Sequence, residues 1–400
     1  MRIGMTIDKF ILGGGMPGID KYAYKLWEHL VREGKHEYIL FQEKYRESGA
    51  FKKFQLDYFP PLREVVGLKV HSVCRHDGEA YGLNGEMANG SWVRKFKARA
   101  YLFRKDLMRA TYLSSRGLDL IHYPTNLERP YRLRNFRTVM TFHDAVPLII
   151  PETLNERIRF EMQSFLQRIH NVDRFIAVSQ STKNDMVRYL NLPEWKIHVV
   201  HNGYDDKYGL VKDTGWVKQK YTRGKPYLLF VGTLEPRKNV TTLIKAFHRL
   251  KRKDLKLVLA GNAGWDMDNI TKLVGDLKLQ EAVVFPGYVP EEDLIALYNE
   301  ADLFVYPSLY EGFGIPLIEA MVCGAPVITS NISSMPEVVG DAGLLVNPLS
   351  EEELKKKMET VLGNPSLRER MKDKGLRRAK FFGWKKCARE TREIYKSLVQ

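Results

Sequence analysis

A chain of 400 residues is long enough for two α/β domains of about 150–200 residues each, because a single hydrophobic core stops growing near 250–300 residues. Hydrophobic residues make up 44% and charged residues 28%, which fits folded domains and excludes disordered and collagen-like chains. Lysine and arginine exceed aspartate and glutamate by 63 to 48, and the resulting +15 favours partners that carry phosphate, whether nucleotides, nucleic acids or anionic lipid headgroups.

The N-terminal segment lacks a basic-apolar-small signal pattern, and no run approaches the 18 apolar residues of a membrane span, so the expectation is a cytoplasmic chain. Cys74, Cys323 and Cys387 are too few and too widely spaced for a disulfide framework or a zinc site, and the ten histidines show no ligand spacing.

In chain order, a strand-like segment at 2–7 leads to the glycine cluster Gly13-Gly14-Gly15-Met16-Pro17-Gly18, and a helical pattern starts near Ile19. Glycines such as Gly15 let backbone N–H groups approach a phosphate or sugar at a helix N-terminus. A flexible turn explains the cluster equally well, and its spacing is not the Gly-x-Gly-x-x-Gly of dinucleotide binding. Further apolar runs at 37–41, 118–123, 137–142, 174–178 and 196–201 alternate with helical patterns such as 152–170, which predicts a parallel sheet covered on both faces. Segments 45–64 and 73–90 could hold more strands, but Pro60, Pro61 and the glycines around Gly82 argue for long loops.

Residues 92–137 hold 12 basic and 3 acidic side chains, most of the total surplus. Within it, Trp92, Phe96, Tyr101 and Phe103 interleave with Arg94, Lys95, Lys97, Arg99, Arg104, Lys105 and Arg109. This composition suits a segment lying on an anionic membrane surface, and equally an ordinary cationic helix with one buried face.

The polar stretch 202–224 is rich in Gly, Asp and Lys, lacks helical periodicity and reads as the linker. Apolar runs then recur at 227–231, 257–260, 283–285, 303–306, 327–329 and 344–346, a second doubly wound pattern. The expected organisation is an α/β chain of two Rossmann-like domains facing a cleft, 1–203 and 204–380, with a C-terminal helix at 381–400 packing back on the first domain. Ligands of such domains lie at the carboxyl ends of the strands, so motifs matter most just after each apolar run.

One such place is Gly232-Thr233-Leu234-Glu235-Pro236-Arg237-Lys238-Asn239, where two cations precede a helix and suit a diphosphate. Asp266-Met267-Asp268 imitates a metal-binding Asp-x-Asp, but it opens a helical pattern and capping explains it. The most informative run is 307–321, in which Glu311 and Glu319 stand with seven residues between them. Pro316 belongs in the first turn of a helix, so Glu311 falls in the loop before it and Glu319 on the helix itself. Gly312 and Gly314 free the backbone around Phe313 and Ile315 to close on a ligand, Glu311 can accept from sugar hydroxyls, and Glu319 can accept from a ribose diol.

These residues resemble the signature of the retaining glycosyltransferases of family four in the GT-B fold class. The resemblance extends to His143-Asp144, to Val178-Ser179-Gln180-Ser181, to 196–203 ending His201-Asn202-Gly203, and to 335–348 with Pro336-Glu337-Val338-Val339-Gly340-Asp341-Ala342-Gly343. It implies a nucleotide-diphosphate sugar donor, with the base near Gly287 and Tyr288 and the ribose on Glu319. The diphosphate would rest on Lys238, Arg237 and the amides after Gly312, and the sugar against Glu311 and His143. It also implies retention of anomeric configuration without a metal or other cofactor, and a glycan or lipid-linked acceptor entering from the first domain. One departure is Thr233, where many members carry an arginine, so that Arg237 is left to supply that charge. The segment from Gly232 to Asn239 is similar to mannosyl-transferring members, which makes GDP-mannose the first expectation and UDP-glucose the next. A basic nucleic-acid-binding protein is the rival from another class, but the chain carries no motif for it and no nucleic-acid partner is expected.

Overall fold

A computed structural model describes residues 1–7, 18–32, 36–44, 68–74, 117–125, 130, 135–153, 166 and 169–400. Seven strands of the first half, β1 (Arg2–Ile7), β2 (Glu37–Lys44), β3 (Leu68–Cys74), β4 (Leu120–Tyr123), β5 (Arg137–Phe142), β6 (Arg174–Ala177) and β7 (Ile197–Val199), form one sheet in the order β3-β2-β1-β4-β5-β6-β7. Six strands of the second half, β8 (Tyr227–Val231), β9 (Lys256–Ala260), β10 (Val283–Gly287), β11 (Leu303–Tyr306), β12 (Val327–Ser330) and β13 (Gly343–Val346), form another in the order β10-β9-β8-β11-β12-β13. Neighbouring strands are parallel in both sheets. Strands such as β9 and β11 are buried at every residue, which explains why they read as unbroken apolar runs: a parallel sheet is covered on both faces.

The strand order reverses between β1 and β4 and again between β8 and β11. Connections depart on opposite faces at such a reversal and leave a crevice beyond the carboxyl ends of the strands. Pro307 to Tyr310 follows β11 directly, so the 307–321 run begins at the reversal of the second sheet.

β3 corrects the sequence reading, which assigned no strand at 68–72. It pairs with β2 along its whole length, from Tyr38 opposite Leu68 to Lys44 opposite Cys74. Its alternation of Leu68, Val70 and Ser72 with Lys69 and His71 suits a sheet edge and carries little apolar signal by itself. The glycine cluster before Gly18, the basic-aromatic segment 92–109 and most of the helical pattern 152–170 lie outside the described residues.

Five helices frame the site: α1 (Gly18–Arg32), α2 (Gln180–Leu190), α3 (Ile315–Val322), α4 (Met335–Val339) and α5 (Trp384–Val399). Along α1, Tyr22, Leu26, Trp27 and Leu30 recur at helical spacing and form one apolar cluster with Trp384, Cys387, Ala388, Ile394 and Tyr395 of α5. The last helix of the chain thus packs on the first half. The crossing back lies against the crossing out: a Cβ on Gly203 would stand 2.2 Å from the Trp384 amide nitrogen, so only glycine lets the two segments pass this closely. Cys323 and Cys387 are buried, and burial pushes the Cys323 thiol up to about 12, so it stays protonated at neutral pH. Among the described residues no helix is long and apolar enough to cross a membrane.

A buried polar chain ties α5 to the first sheet. The Tyr395 hydroxyl meets His122 Nδ1 at 2.5 Å, His122 Nε2 meets Thr141 Oγ1 at 2.8 Å, and Tyr22 joins Thr141 at 2.9 Å. Burial, with a smaller effect from His143, pulls the His122 pKa down to about 3, so the ring is neutral in the folded chain. Unfolded histidine titrates near 6.5. The unfolded chain therefore binds the extra proton first, and stability is full above about pH 6.5 and falls as pH drops towards 3. Tyr395→Phe should cost about 1–3 kcal/mol by stranding His122 Nδ1, whereas Phe at the exposed Tyr189 should be neutral. Urea unfolding of both variants at pH 7.5 is the check, and equal midpoints would remove the chain from any stabilising role.

Candidate active site

The loop after β8 and the loop after β11 meet at one carboxylate. Pro236 opens a single 3-10 turn, Pro236–Lys238, after the extended Glu235 and before Asn239 in the left-handed region. This tight turn projects consecutive Arg237 and Lys238 towards Glu311. Arg237 Nη1 donates to Glu311 Oε2 at 2.8 Å, and Lys238 Nζ donates to Oε1 at 2.6 Å. Tyr306, the last residue of β11, accepts from Lys238 at 2.7 Å and donates to Oε1 at 2.9 Å. Arg237 Nε is held in turn by Glu235 Oε1 at 2.7 Å, and its Nη1 reaches the Tyr310 carbonyl at 3.2 Å.

Glu235, Lys238 and Glu311 are buried and Arg237 is half-buried, and the electrostatics follow from that. Burial alone would raise the Glu311 pKa, but Arg237 and Lys238 overcome it and hold the carboxyl at about 2, so Glu311 is ionised at any working pH. For Lys238, burial and then the like charge of Arg237 pull the ammonium below its ordinary value, against the pull of Glu311. Asp144, beside Arg237, is pushed up by burial although that guanidinium opposes the shift. Two cations thus share Glu311, with Glu235 bound to one of them. Lys238 has a third N–H beyond the two used by Tyr306 and Glu311, so it can add an anionic partner without giving up the carboxylate.

His143 follows β5 and comes up against the same loop: a Cβ on Gly312 would fall 1.7 Å from the His143 carbonyl oxygen. No residue but glycine fits there. Its Nε2–H donates to the Pro124 carbonyl at 2.8 Å, which leaves Nδ1 as the unprotonated nitrogen, and burial lowers its pKa to about 4. The ring is therefore neutral at neutral pH and fixed through Nε2. Gly314 takes φ +96°, a left-handed conformation that suits glycine, and caps α3. Phe313 stacks on His201 with ring centroids 5.8 Å apart and meets Phe382 edge-on at 5.7 Å, so this loop reaches both chain crossings.

Glu319 lies on α3, one helical stretch beyond Glu311, as the position of Pro316 predicts. Its Oε1 accepts from Lys21 of α1 at 3.1 Å, and Tyr298 reaches Oε2 at 3.3 Å. Lys21 belongs to the first domain, so a ribose diol on Glu319 would compete with this contact. Thr233 is exposed after β8, and Gly287, with φ +70°, ends β10 beside Tyr288, which is 62% exposed. Thr233 meets the Glu311 cluster through its backbone, its carbonyl accepting from the Glu235 amide at 3.0 Å, whereas Gly287 and Tyr288 share no hydrogen bond with it among the described residues, and Gly15 lies outside them.

Sequence reasoning overlooked Tyr306, Lys21 and the hydroxyls that hold the loop. Ser333 donates to the Glu311 carbonyl at 2.5 Å, and Ser334 lies 2.9 Å from both the Glu311 and the Phe313 carbonyls. From α2, Ser179 and Thr182 donate to the Gly312 carbonyl at 2.6 and 3.1 Å. Tyr306 was legible as the end of an apolar run that meets a motif; the hydroxyls carry no such mark.

Two doubly wound sheets with a cation-carboxylate cluster at the switch point of the second define a GT-B glycosyltransferase architecture. The chain belongs to the glycosyl transferases group 1: that family's sequence model matches residues 216–378, and the model of Glycosyltransferase Family 4 matches residues 17–208. It is a glycosyltransferase. O-antigen chain mannosyltransferase B of Escherichia coli is 37% identical over 287 residues, 70% of this chain and 75% of that protein. Serotype-specific mannosyltransferase WbdA of Escherichia coli is 29% identical over 276 residues, 66% of this chain and 34% of that longer protein. Among solved structures, sucrose-phosphate synthase from Thermosynechococcus elongatus superposes with a TM-score of 0.73 at 20% identity, covering 99% of this chain and 98% of that one, a likeness of fold.

The shared carboxylate sets an expectation for Glu311→Gln. Removing the charge leaves two buried cations short of a partner, which should cost about 3–5 kcal/mol. An added polyanion should restore part of that loss, because it binds only the folded chain. Melting temperatures with and without inorganic pyrophosphate are the measurement. A pyrophosphate shift no larger in the variant than in the unaltered protein would show that Glu311 does not balance these cations.

Proposed function

We propose that the protein transfers mannose from GDP-mannose to a glycan or lipid-linked glycan acceptor with retention of configuration. The observation that carries the reading is the Arg237–Glu311–Lys238 cluster on a chain whose relatives include several named mannosyltransferases. Arg237 and Lys238 take the diphosphate, Glu311 takes hydroxyls of the transferred ring, Glu319 takes the ribose, and Tyr288 covers the base beside Gly287. As the sugar–phosphate bond breaks, negative charge grows on the leaving diphosphate, and fixed cations in a buried site stabilise it most at that stage. Attack comes from the face the diphosphate leaves, with a donor phosphate oxygen taking the acceptor proton, so no side-chain nucleophile is involved. The two cations supply the positive charge that a metal supplies in other transferases, and turnover is proposed to need neither metal nor cofactor.

The acceptor enters from the first domain, past His143, and the protein works in the cytoplasm, resting on an anionic membrane face through its basic surplus. Support for the last point comes from composition: each cation near such a surface contributes about 1 kcal/mol.

The experiment incubates the purified protein with GDP-mannose or UDP-glucose and a lipid-linked oligosaccharide, in EDTA and in magnesium, and reads product anomer by NMR. Transfer of mannose in both buffers with an α-anomeric product supports the reading; glucose transfer alone, a β-product, or turnover only with metal would each overturn its part. Lys238→Ala should lower kcat by about 10²–10³ and weaken GDP binding, while Glu311→Ala should abolish transfer without weakening GDP binding, because the cations it balanced are then left to the diphosphate. Cosedimentation that does not distinguish anionic from neutral vesicles at low salt would remove the membrane element.

A further inference from the structure

The donor loop is held from both domains. Helix α2 belongs to the first, yet its opening turns engage the second at several points. Ser179, its N-cap, accepts from the Thr182 amide at 3.0 Å and donates to the Gly312 carbonyl at 2.6 Å. Thr182 donates to the same carbonyl at 3.1 Å, and both residues are fully buried. One turn on, Asp185 accepts from the Tyr310 hydroxyl at 2.5 Å. The Glu337 carboxylate of α4 reaches back to the Gln180 amide at 2.9 Å and the Ser181 amide at 3.3 Å.

The consequence lies in the opposite ends of those peptides. In a trans peptide the N–H points away from the carbonyl of the same unit, and no cis peptide occurs among the described residues. Carbonyls 311, 312 and 313 each face a hydroxyl: Ser333 and Ser334 for Glu311, Ser179 and Thr182 for Gly312, Ser334 for Phe313. The amides of Gly312, Phe313 and Gly314 are therefore turned away from those hydroxyls. All three residues are buried, and none of the three amides donates a hydrogen bond to a described residue. Buried backbone N–H groups are rarely left without a partner, and these follow directly on the carboxylate that gathers Arg237 and Lys238.

We infer that Ser179 and Thr182 are positioning residues for transfer: acting across the domain boundary, they fix the Gly312 peptide so that the amides after Glu311 meet the polar part of a nucleotide-sugar donor. The inference rests on the donor reading above. Its chemistry is that of a preorganised donor set, whose worth depends on being held before the ligand arrives. Placing two of its supports on the other domain makes the geometry of the donor loop sensitive to how the domains sit.

Calorimetry with GDP-mannose and UDP-glucose, and with guanosine and uridine as controls, tests it. Thr182→Val keeps the shape and removes the hydroxyl, and Ser179→Ala removes the stronger contact together with the helix cap. With one hydrogen bond worth about 1 kcal/mol, Thr182→Val should weaken the nucleotide sugar roughly fivefold, and Ser179→Ala about tenfold, while nucleoside affinity stays constant. Thr182→Ser should restore wild-type affinity and kcat. Folded variants with unchanged nucleotide-sugar affinity would overturn the inference, as would an equal loss for nucleoside and nucleotide sugar, or a Thr182→Ser variant as impaired as Thr182→Val. An unaltered protein that binds nucleosides but gains nothing from the diphosphate and sugar would instead sink the donor reading itself.

Discussion

A single buried carboxylate, Glu311, organises the loops at the carboxyl ends of β8 and β11. It is shared by Arg237 and Lys238, and a third group, Tyr306, bridges the lysine and the acid. Burying these charges is costly, and their mutual attraction offsets the cost only if every partner is present with good geometry. The constraint reaches far along the chain. It needs the tight turn at Pro236, the end of β11 beside the end of β8, and a loop that turns through Gly312 and Gly314 without a clash. The cations keep the carboxylate ionised, and the carboxylate keeps two like charges within reach of each other. The two cations are met by two carboxylates, Glu311 and Glu235, so the cluster is matched in charge within the chain itself.

The reversal of strand order explains why this cluster forms where it does. β8 and β11 are adjacent in the second sheet although two strands, β9 and β10, and the helices around them separate the two in sequence. The same reversal in the first sheet sets β1 beside β4, and the residues after β5 carry His143 to the Gly312 backbone. Two sheets with this topology can face each other only through their carboxyl-end loops if both crevices are to serve one ligand. The chain crosses between them at Gly203 and returns at Trp384, side by side, and the halves also meet at α2, at Lys21–Glu319 and where His143 lies against Gly312.

How far the sequence carried depended on whether a residue's role is local or relational. Apolar runs announced the strands other than β3: inner strands such as β9 and β11 are buried on both faces and leave an unbroken signature, whereas β3, at an edge and half polar, left none. Glu311, Glu319, Lys238 and Arg237 were legible because charged residues after an apolar run at a strand's end have few reasons to be there. Pro316 was enough to set Glu311 in the loop and Glu319 on α3. Lys21 was not legible: its partner Glu319 is 298 residues away, and nothing in the spacing within α1 marks that contact. The roles of Ser179 and Thr182 were hidden for the same reason, since a serine that opens a helix reads as a cap and its second bond, to a carbonyl in another domain, belongs to the tertiary fold.

That second bond bears on how a two-domain transferase can couple closure to chemistry. A donor loop built wholly on its own domain would keep its geometry whatever the other domain did. Here the loop's side chains report to both: Glu311 to the second domain's cations, and Phe313 to His201 and Phe382 at the two chain crossings. Its backbone carbonyls are divided likewise, Gly312 held by α2 and its neighbours by Ser333 and Ser334. Rotation about the crossings therefore cannot leave the loop untouched, because Gly312 has no side chain to yield and its carbonyl is held by two buried hydroxyls. Energetically the coupling is bounded by those bonds, on the order of 1 kcal/mol each, enough to change occupancy of a binding-competent loop several-fold. The Lys21–Glu319 pair is a second tie between the domains, from α1 to α3. Lys21 on Glu319 and the two hydroxyls on Gly312 thus hold the same boundary at two separate places.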